Sequence, residues 1–312
     1  MRTLIVTDIH GNLPALEAVL DTPEARSCQE IISLGDHVNF CAQSRAVHDR
    51  LVSLGAVMLL GNHEERLTRP DDAEFAGYNW EPMRFAARQM YGIDLRLPLD
   101  LRRGEVLLTH GTPGEPYHLV HPEELPGVLN ALPESVTLLL SGHNHIRWAV
   151  EAGGRTAINP GSTGLLEIAG PARQPDFCGT APFAVLETEA GQPPVVTLHE
   201  TRYDVRKTLR AFIETGMCQA APEICRSVAR VLLTQEYQGG LMLMRHVRQV
   251  AAENGLDFGS REAWTLADRT YPWDEPVPSG EYWKDLEDTL RRTTPSPPSP
   301  PHRDRAASPS CG

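Results

Sequence analysis

The sequence predicts an α/β fold: a four-layer αββα sandwich of two mixed β-sheets, followed by a C-terminal helical appendage. Three observations support this prediction. In the first two thirds of the chain, apolar strands alternate with polar turns and helical segments at the roughly 30-residue spacing of βαβ units. Four later segments, at about 147–152, 155–158, 182–188 and 194–200, alternate apolar and polar residues and are expected to form the second sheet. From Asp204 onward, apolar residues recur at helical spacing.

The predicted strands of the first sheet each lead into residues that can bind a metal ion, and helical segments connect most of them. Since right-handed crossovers keep such strands parallel, their carboxyl ends are expected along one edge of a single sheet. In chain order these elements are strand 1–7, helix 12–20, the strand that ends at Asp36, helix 43–54, the strand that ends at Asn62, an insert at 64–104 with a helix near 80–91, the strand that ends at His110, and strand 136–140.

The same patterns divide the chain into three regions. Residues 1–203 are predicted to form the sandwich domain, 204–292 the helical appendage and 293–312 a disordered tail, because the tail is rich in proline and serine and poor in apolar residues. The appendage carries apolar residues such as Leu209 and Phe212. Capping of the active site, dimerisation through this region and coverage of a sheet face are all open interpretations of it.

Composition limits the possible functions. A chain of 312 residues with 41% hydrophobic residues can bury a full core. The N-terminus lacks the apolar run of a secretory signal, and nowhere do about 18 apolar residues follow one another, so we expect a soluble cytoplasmic protein. Six cysteines without a CxxC pair indicate neither a disulfide framework nor a thiolate zinc site. The net charge of −12 argues against broad binding of nucleic acid or anionic membranes.

The turns after the apolar strands carry the strongest functional signal. Asp8 and His10 follow the first strand, and His143 and His145 follow the leucines of "TLLLSGHNHI". Alternate residues of an extended segment point to the same side, so each pair can converge on one metal ion. Together the strand ends offer carboxylate, amide and imidazole groups but no thiolate: Asp8, His10, Asp36, Asn62, His110, His143 and His145.

This donor set suits manganese, iron or zinc. Seven ligands are too many for one tetrahedral ion and suit two ions that share a bridging carboxylate. Two ions about 3.5–4 Å apart form a clamp for in-line displacement at phosphorus. The residues alone therefore predict a two-metal site for phosphate chemistry.

Five short motifs, "DIHGN", "GDHVNF", "GNHEE", "THG" and "GHNH", resemble those of the calcineurin-like metallophosphoesterase superfamily in order and spacing, across residues 1 to about 200. "INPGSTG" (158–164) resembles the stretch that follows the last motif in bacterial members. The resemblance implies two divalent transition metal ions, with manganese preferred and iron or zinc as alternatives. It places Asp8, His10, Asp36 and His145 on one ion, and Asp36, Asn62, His110 and His143 on the other, with Asp36 as the bridge.

The resemblance also implies a reaction. Small phosphodiesters or phosphomonoesters, nucleotides among them, would be hydrolysed by in-line attack of a hydroxide that bridges the two ions. His63 would face the leaving group as a general acid, a role typically worth 10²–10⁴-fold in rate. Glu64 would anchor the turn. The expected partner is thus a small phosphate ester, without membrane or nucleic acid, and a homodimer through the appendage is an open interpretation.

The sequence departs from the phosphoprotein phosphatase motif at two positions, and it offers several candidate substrate contacts. Phosphoprotein phosphatases have Asp and Arg where this chain has Asn39 and Phe40, which disfavours a serine/threonine phosphatase. A non-catalytic protein-binding scaffold would be expected to have lost ligands, whereas every position is filled here. Candidate substrate contacts lie close to the motifs in the sequence: His37, Asn39, Tyr117 and His118, with Arg66 and Arg69 as candidates for binding phosphate.

Overall fold

The computed structural model describes residues 1–118, 121–168, 177–236, 239–273 and 279–292. The predicted tail at 293–312 lies outside the described residues. Within them, ten strands form two five-stranded sheets. The strands are β1 (Arg2–Val6), β2 (Glu30–Ser33), β3 (Val57–Met58), β4 (Asp100–Arg103), β5 (Val106–Thr109), β6 (Leu138–Leu140), β7 (Trp148–Ala152), β8 (Arg155–Asn159), β9 (Cys178–Glu187) and β10 (Val195–Asp204).

Helices connect these strands and then make up the C-terminal region. The first begins at Leu13 because Asn12 is its cap, with Oδ1 accepting a hydrogen bond from the backbone N–H of Ala15 (3.3 Å). The helices are α1 (Leu13–Leu20), α2 (Pro23–Arg26), α3 (Ser44–Ser53), α4 (Asn62–Leu67), α5 (Glu81–Gln89), α6 (Leu125–Ala131), α7 (Val205–Glu214), α8 (Met217–Ala220), α9 (Pro222–Thr234), α10 (Gly239–Asn254), α11 (Arg261–Thr270) and α12 (Ser279–Arg292).

Both sheets are mixed, which confirms the predicted fold class. The first has the order β10-β9-β1-β2-β3, in which β1, β2 and β3 are parallel and β9 is antiparallel to both of its neighbours. The second has the order β4-β5-β6-β8-β7, with β5, β6 and β8 parallel and an antiparallel strand at each edge.

The predicted distribution of strands between the sheets was wrong. The five strands that lead into candidate ligands do not form one sheet, because β1, β2 and β3 belong to the first sheet and β5 and β6 to the second. The four later strands are also divided, two to each sheet. Apolar patterning tells which side chains are buried but not which strand is the neighbour, and here β9 pairs with β1 across a long stretch of sequence. The edge strand β4 was not predicted.

Successive residues of one strand face two different cores, as a four-layer sandwich requires. In β1, Ile5 packs between the two sheets, whereas Leu4 and Val6 pack under the helices on the outer face. In β6, Leu140 faces the inter-sheet core and Leu139 faces a smaller cluster with α6. The two sheets thus pack face to face, with helices on both outer faces.

The C-terminal helices cover the outer face of the first sheet. Leu209 and Phe212 of α7 are fully buried, in the same apolar cluster as Leu4 and Val6 of β1. Of the three interpretations of this region, coverage of a sheet face is therefore what the packing shows. The domain boundary at residue 203 stays a prediction.

Two expectations from composition can be compared with the described residues. None of the helices there has both the length and the apolar character that crossing a membrane requires. Five cysteines, at positions 28, 41, 178, 218 and 225, are free thiols.

Candidate metal centre

Left-handed backbone turns follow β1, β2 and β6. They hold five of the seven predicted ligands at positive φ: Asp8 (51°), His10 (51°), Asp36 (53°), His143 (74°) and His145 (59°). The prediction that Asp8 and His10 converge from an extended strand was wrong in its geometry, since β1 ends at Val6 and both residues lie in the turn. A left-handed conformation costs a non-glycine residue roughly 1–2 kcal/mol, and such strain is commonly retained at functional sites.

The segment 158–164 holds the first of these turns in place. Ser162 Oγ donates a hydrogen bond to the carbonyl oxygen of Asp8 (2.7 Å), and the N–H of Gly164 donates to the same oxygen (3.1 Å). A Cβ atom at position 164 would lie 1.9 Å from the carbonyl oxygen of Ile9, so only glycine allows this approach. The resemblance of "INPGSTG" to a family stretch marked this segment, but the sequence did not reveal its role.

The turns bring the predicted ligands together although they come from two sheets. Ligand atoms lie within 4.8 Å of one another in three groups: Asp8, His10 and His145; His10, Asp36 and His63; and Asp36, His110 and His143. The first and third groups each form most of one predicted metal site.

Asp36 belongs to the third group and also lies next to His10 of the first group. Its Oδ2 is 3.9 Å from Nε2 of His10 and 3.2 Å from Nε2 of His110. Its Oδ1 accepts a hydrogen bond from the backbone N–H of His63 (2.8 Å), which fixes the carboxylate orientation. A carboxylate in this position is able to serve both groups.

Backbone carbonyls orient three of the histidines. His10 Nδ1 is 3.2 Å from the oxygen of Val38, and His110 Nδ1 is 3.1 Å from that of Leu34. His143 Nε2 is 3.2 Å from the carbonyl oxygen of Tyr117. A carbonyl oxygen only accepts, so the ring nitrogen facing it carries a hydrogen. The other nitrogen faces the cluster and offers a lone pair there when it is unprotonated. In His10 and His110 that nitrogen is Nε2, and in His143 it is Nδ1.

Acceptor atoms face one another across the cluster. Nε2 of His10 lies 2.9 Å from Nε2 of His145, which is 3.5 Å from Oδ1 of Asp8. Neutral nitrogens and carboxylate oxygens at these separations need a proton or a cation between them. The other ring nitrogen of His145 faces the carboxylate of Glu167 at 3.8 Å, a neighbour that the sequence did not indicate.

The side-chain amide of Asn62 also lies among acceptor atoms, those of the third group, Asp36, His110 and His143. Its Oδ1 is 3.1 Å from Nε2 of His110, 3.1 Å from Oδ2 of Asp36 and 2.9 Å from Nδ1 of His143. An amide oxygen among three acceptors suits coordination of a shared cation. With the amide reversed, its nitrogen would donate to these atoms and its oxygen would accept from Arg66. These donors fit a divalent transition metal.

Burial and neighbouring charge set the protonation of the ligands. Burial lowers the pKa of His143 and that of His145 to about 3, and it lowers the pKa of His10 well below its ordinary value. These three imidazoles are therefore neutral near pH 7, as metal ligands must be. Burial alone would lower the pKa of His110, but the Asp36 carboxylate raises it to about 9. Metal binding to this pair would release a proton.

His63 lies at the edge of the cluster, with Nε2 3.8 Å from Oδ2 of Asp36. Burial lowers the pKa of His63 to about 4. Its Nδ1 is 2.7 Å from Nδ2 of Asn39, whose Oδ1 is buried without a hydrogen-bond partner among the described residues. A half-turn of the Asn39 amide would present Oδ1 to a protonated His63. Since His63 also belongs to one ligand group, its role as a non-ligand stays a prediction.

Glu64 anchors the turn that follows β2, as expected, and ties it to the start of α4. This fully buried carboxylate accepts hydrogen bonds from the backbone N–H groups of Asp36 (2.8 Å), His37 (2.8 Å), Val38 (3.2 Å) and Gly61 (2.9 Å). It therefore fixes the backbone that carries Asp36.

The predicted substrate contacts differ in position. His37 is fully buried between Glu64 and His48, an arrangement that favours an internal structural role. His118 is half exposed and lies 3.8 Å from Glu124. Tyr117 is close to the cluster through its carbonyl contact with His143, and Asn39 is close through His63.

Comparisons with known proteins agree with this geometry. The model of the calcineurin-like phosphoesterase superfamily domain matches residues 1–206. An uncharacterized protein of Methanocaldococcus jannaschii, MJ0912, is 23% identical over 231 residues, 68% of this chain and 92% of that protein. Phosphodiesterase YfcE of Escherichia coli is 28% identical over 182 residues, 55% of this chain and 84% of that protein. The crystal structure of a metallophosphoesterase from Sphaerobacter thermophilus superposes with a TM-score of 0.59 at 24% identity, covering 75% of this chain and 99% of that one. The chain therefore belongs to the calcineurin-like phosphoesterase superfamily and is a phosphate ester hydrolase.

Proposed function

We propose that this enzyme hydrolyses small phosphodiesters or phosphomonoesters with two divalent metal ions, manganese being preferred. The observation that carries the proposal is the position of Asp36 between two clusters of imidazole, carboxylate and amide donors. One cluster contains Asp8, His10 and His145, and the other contains His110 and His143 with the amide of Asn62. A shared carboxylate between two donor sets is the arrangement expected of a two-ion site.

Diesters are the first substrates to test. The relative YfcE is named a phosphodiesterase. The net charge of −12, with 41 acidic against 29 basic residues, favours small substrates over nucleic acid polymers. Nucleotide diesters belong to this class.

When bound, two divalent ions supply a nucleophilic hydroxide near neutral pH and neutralise phosphate oxygens. The chain's own residues contribute orientation and a proton. Glu64 fixes the turn that presents Asp36, and the carbonyls of Val38, Leu34 and Tyr117 hold ring nitrogens toward the cluster. His63 donates a proton from Nε2 to the departing oxygen. Although burial lowers its pKa to about 4, a bound phosphate anion would act in the opposite direction.

A serine/threonine phosphatase is the weaker alternative. Asn39, which contacts Nδ1 of His63, has no charge with which to stabilise an imidazolium. Phe40 replaces the arginine of that branch and places its ring centroid 4.8 Å from those of His10 and His63. A non-catalytic scaffold is disfavoured because the donors are present and converge.

Turnover of two chromogenic esters tests the proposal. The full-length chain, freed of metal by a chelator and then supplied with Mn²⁺, is expected to hydrolyse bis(p-nitrophenyl) phosphate, p-nitrophenyl phosphate or both, and the chelated protein neither. Replacing His10 by Ala should abolish the Mn²⁺-dependent rate. Absence of turnover with Mn²⁺, Fe²⁺ and Zn²⁺, together with absence of bound metal, would support the scaffold instead.

A further inference from the structure

Two arginines, Arg66 and Arg69, follow His63 in the sequence, and among the described residues only Arg69 of the two forms ion pairs with carboxylates. Arg69 forms ion pairs with Glu65 (3.1 Å), with Asp72 (2.7 Å) and with Glu74. In the part of the chain that the structure describes, Arg66 forms no ion pair with any carboxylate. An unpaired guanidinium that is partly withdrawn from water is unusual, and it calls for an anionic partner.

Aromatic rings and the metal cluster fix the position of Arg66. Its guanidinium carbon lies 5.0 Å from the ring centroid of Tyr117 and 5.4 Å from that of Trp80. Its Nη1 is 2.5 Å from Nδ2 of Asn62, and Oδ1 of the same amide faces His110. The side chain thus reaches the edge of the candidate centre from α4, and its planar group is held by stacking.

The orientation of Asn62 decides whether Arg66 has an acceptor. When Oδ1 of Asn62 is turned toward Asp36 and His143, the amide presents its N–H₂ group to Arg66, and two donors then face each other. In this orientation, which suits metal binding, the guanidinium finds no acceptor on Asn62. Its N–H groups are then available to an oxyanion that lies against the metal cluster.

We infer that Arg66 is a substrate-binding residue that donates hydrogen bonds to a non-bridging oxygen of the phosphate group. This inference rests on the proposed function. A phosphate ester bound by the two ions would direct one anionic oxygen toward Tyr117. The guanidinium of Arg66 lies on that side of the cluster. Arginine suits this position because its planar fork matches a phosphate group and stacks between rings, which lysine does not do equally well. Arg69, with three carboxylates around it, is not available for this contact.

Binding of inorganic phosphate to the full-length, Mn²⁺-loaded protein, measured by calorimetry, tests the inference without requiring turnover. Arg66→Gln is expected to weaken phosphate binding about 10-fold to 100-fold, the range for loss of a charge-assisted hydrogen bond. Arg66→Lys should recover part of the loss. Arg69→Gln is the matched control and should bind phosphate within about twofold of wild type. With an ester substrate, Arg66→Gln should raise KM more than it lowers kcat.

Several results would overturn the inference. These are unchanged phosphate binding in Arg66→Gln, an equal loss in Arg69→Gln, or loss of metal from Arg66→Gln, which would mean that the residue acts through Asn62. Failure of wild type to bind phosphate would also contradict it. A wild-type protein that binds phosphate in an Arg66-dependent manner but hydrolyses no ester would contradict the proposed function instead.

Discussion

At the residue scale, the most informative feature is the direction of the histidine lone pairs. A backbone carbonyl fixes one ring nitrogen of His10, His110 and His143, so the other faces the cluster without rearrangement. Burial keeps His10 and His143 neutral, which removes the cost of deprotonating them when metal binds. The His110–Asp36 pair is the exception, because the raised pKa of His110 makes a proton compete with metal there.

Substitution of His63 can separate metal binding from proton transfer to the leaving group. If it is a general acid, His63→Ala should retain bound metal but lose roughly 10²–10⁴-fold in kcat with a dinucleotide diester, whose leaving group is an alkoxide. With bis(p-nitrophenyl) phosphate the loss should be far smaller, since p-nitrophenolate departs with little need for a proton. Steady-state rates on both substrates give the comparison. The control is His246→Ala, which removes a partly exposed histidine of α10.

Two results would exclude this role for His63. Equal losses on both substrates would indicate positioning or phosphate binding. Loss of a metal ion from His63→Ala would make it a ligand, which the group formed with His10 and Asp36 allows geometrically.

The identity of the candidate ligands could be predicted from sequence, but several of their neighbours could not. Motif order indicated Asp8, His10 and the other ligands without any knowledge of the sheets. The burial of His37 and the difference between Arg66 and Arg69 depend on contacts with residues far along the chain, such as Tyr117 and Trp80. Local patterns carry no information about such contacts.

At the element scale, the left-handed turns hold the site together. Gly164 supports the first turn by approaching the carbonyl oxygen of Ile9, so Gly164→Ala should displace the turn that carries Asp8 and His10. We expect the free energy of unfolding to fall by about 1–3 kcal/mol, which is typical of overpacking. We also expect weaker metal binding. Urea unfolding and metal titration of the variant measure both effects.

The matched control is Gly127→Ala in α6, where an added Cβ meets no atom within 4 Å. This change should be neutral or stabilise by about 0.5–1 kcal/mol, because alanine favours a helix over glycine. If Gly164→Ala behaved like Gly127→Ala, the close approach at position 164 would not be needed for the site.

The sequence located the strands more accurately than it assigned them to sheets. Each strand was found within a few residues of its predicted position, except for β4, whose sequence Asp100–Arg103 is polar and partly exposed. The strands were placed in the wrong sheets because β9, with eight consecutive buried residues, inserts beside β1 from far along the chain. Even so, the turns after β1, β2, β5 and β6 meet, because the carboxyl ends of these four strands lie on the same side of the sandwich.

At the scale of the whole molecule, the C-terminal helices and the first sheet share one apolar core. Phe212 of α7 is fully buried in the cluster that contains Leu4 and Val6. Phe212→Ala should therefore destabilise the protein by about 3–5 kcal/mol. Because the core is continuous, fluorescence and circular dichroism should report a single unfolding transition that shifts as a whole.

Tyr91→Ala is the control for this prediction, since that side chain is 89% exposed, and its stability should stay within about 0.5 kcal/mol of wild type. Two separate transitions, with only one of them shifted by Phe212→Ala, would instead indicate that residues 204–292 form an independent domain.

The central claim, that Asp36 joins two metal sites, is tested most directly by elemental analysis of protein loaded with Mn²⁺ and then dialysed. Wild type is expected to retain about two ions per chain. Asp36→Asn should lose most of both together, because one carboxylate lies 3.9 Å from His10 and 3.2 Å from His110 and neutralises charge on both sides. A wild-type chain that holds a single ion, or an Asp36→Asn chain that still holds two, would contradict the claim.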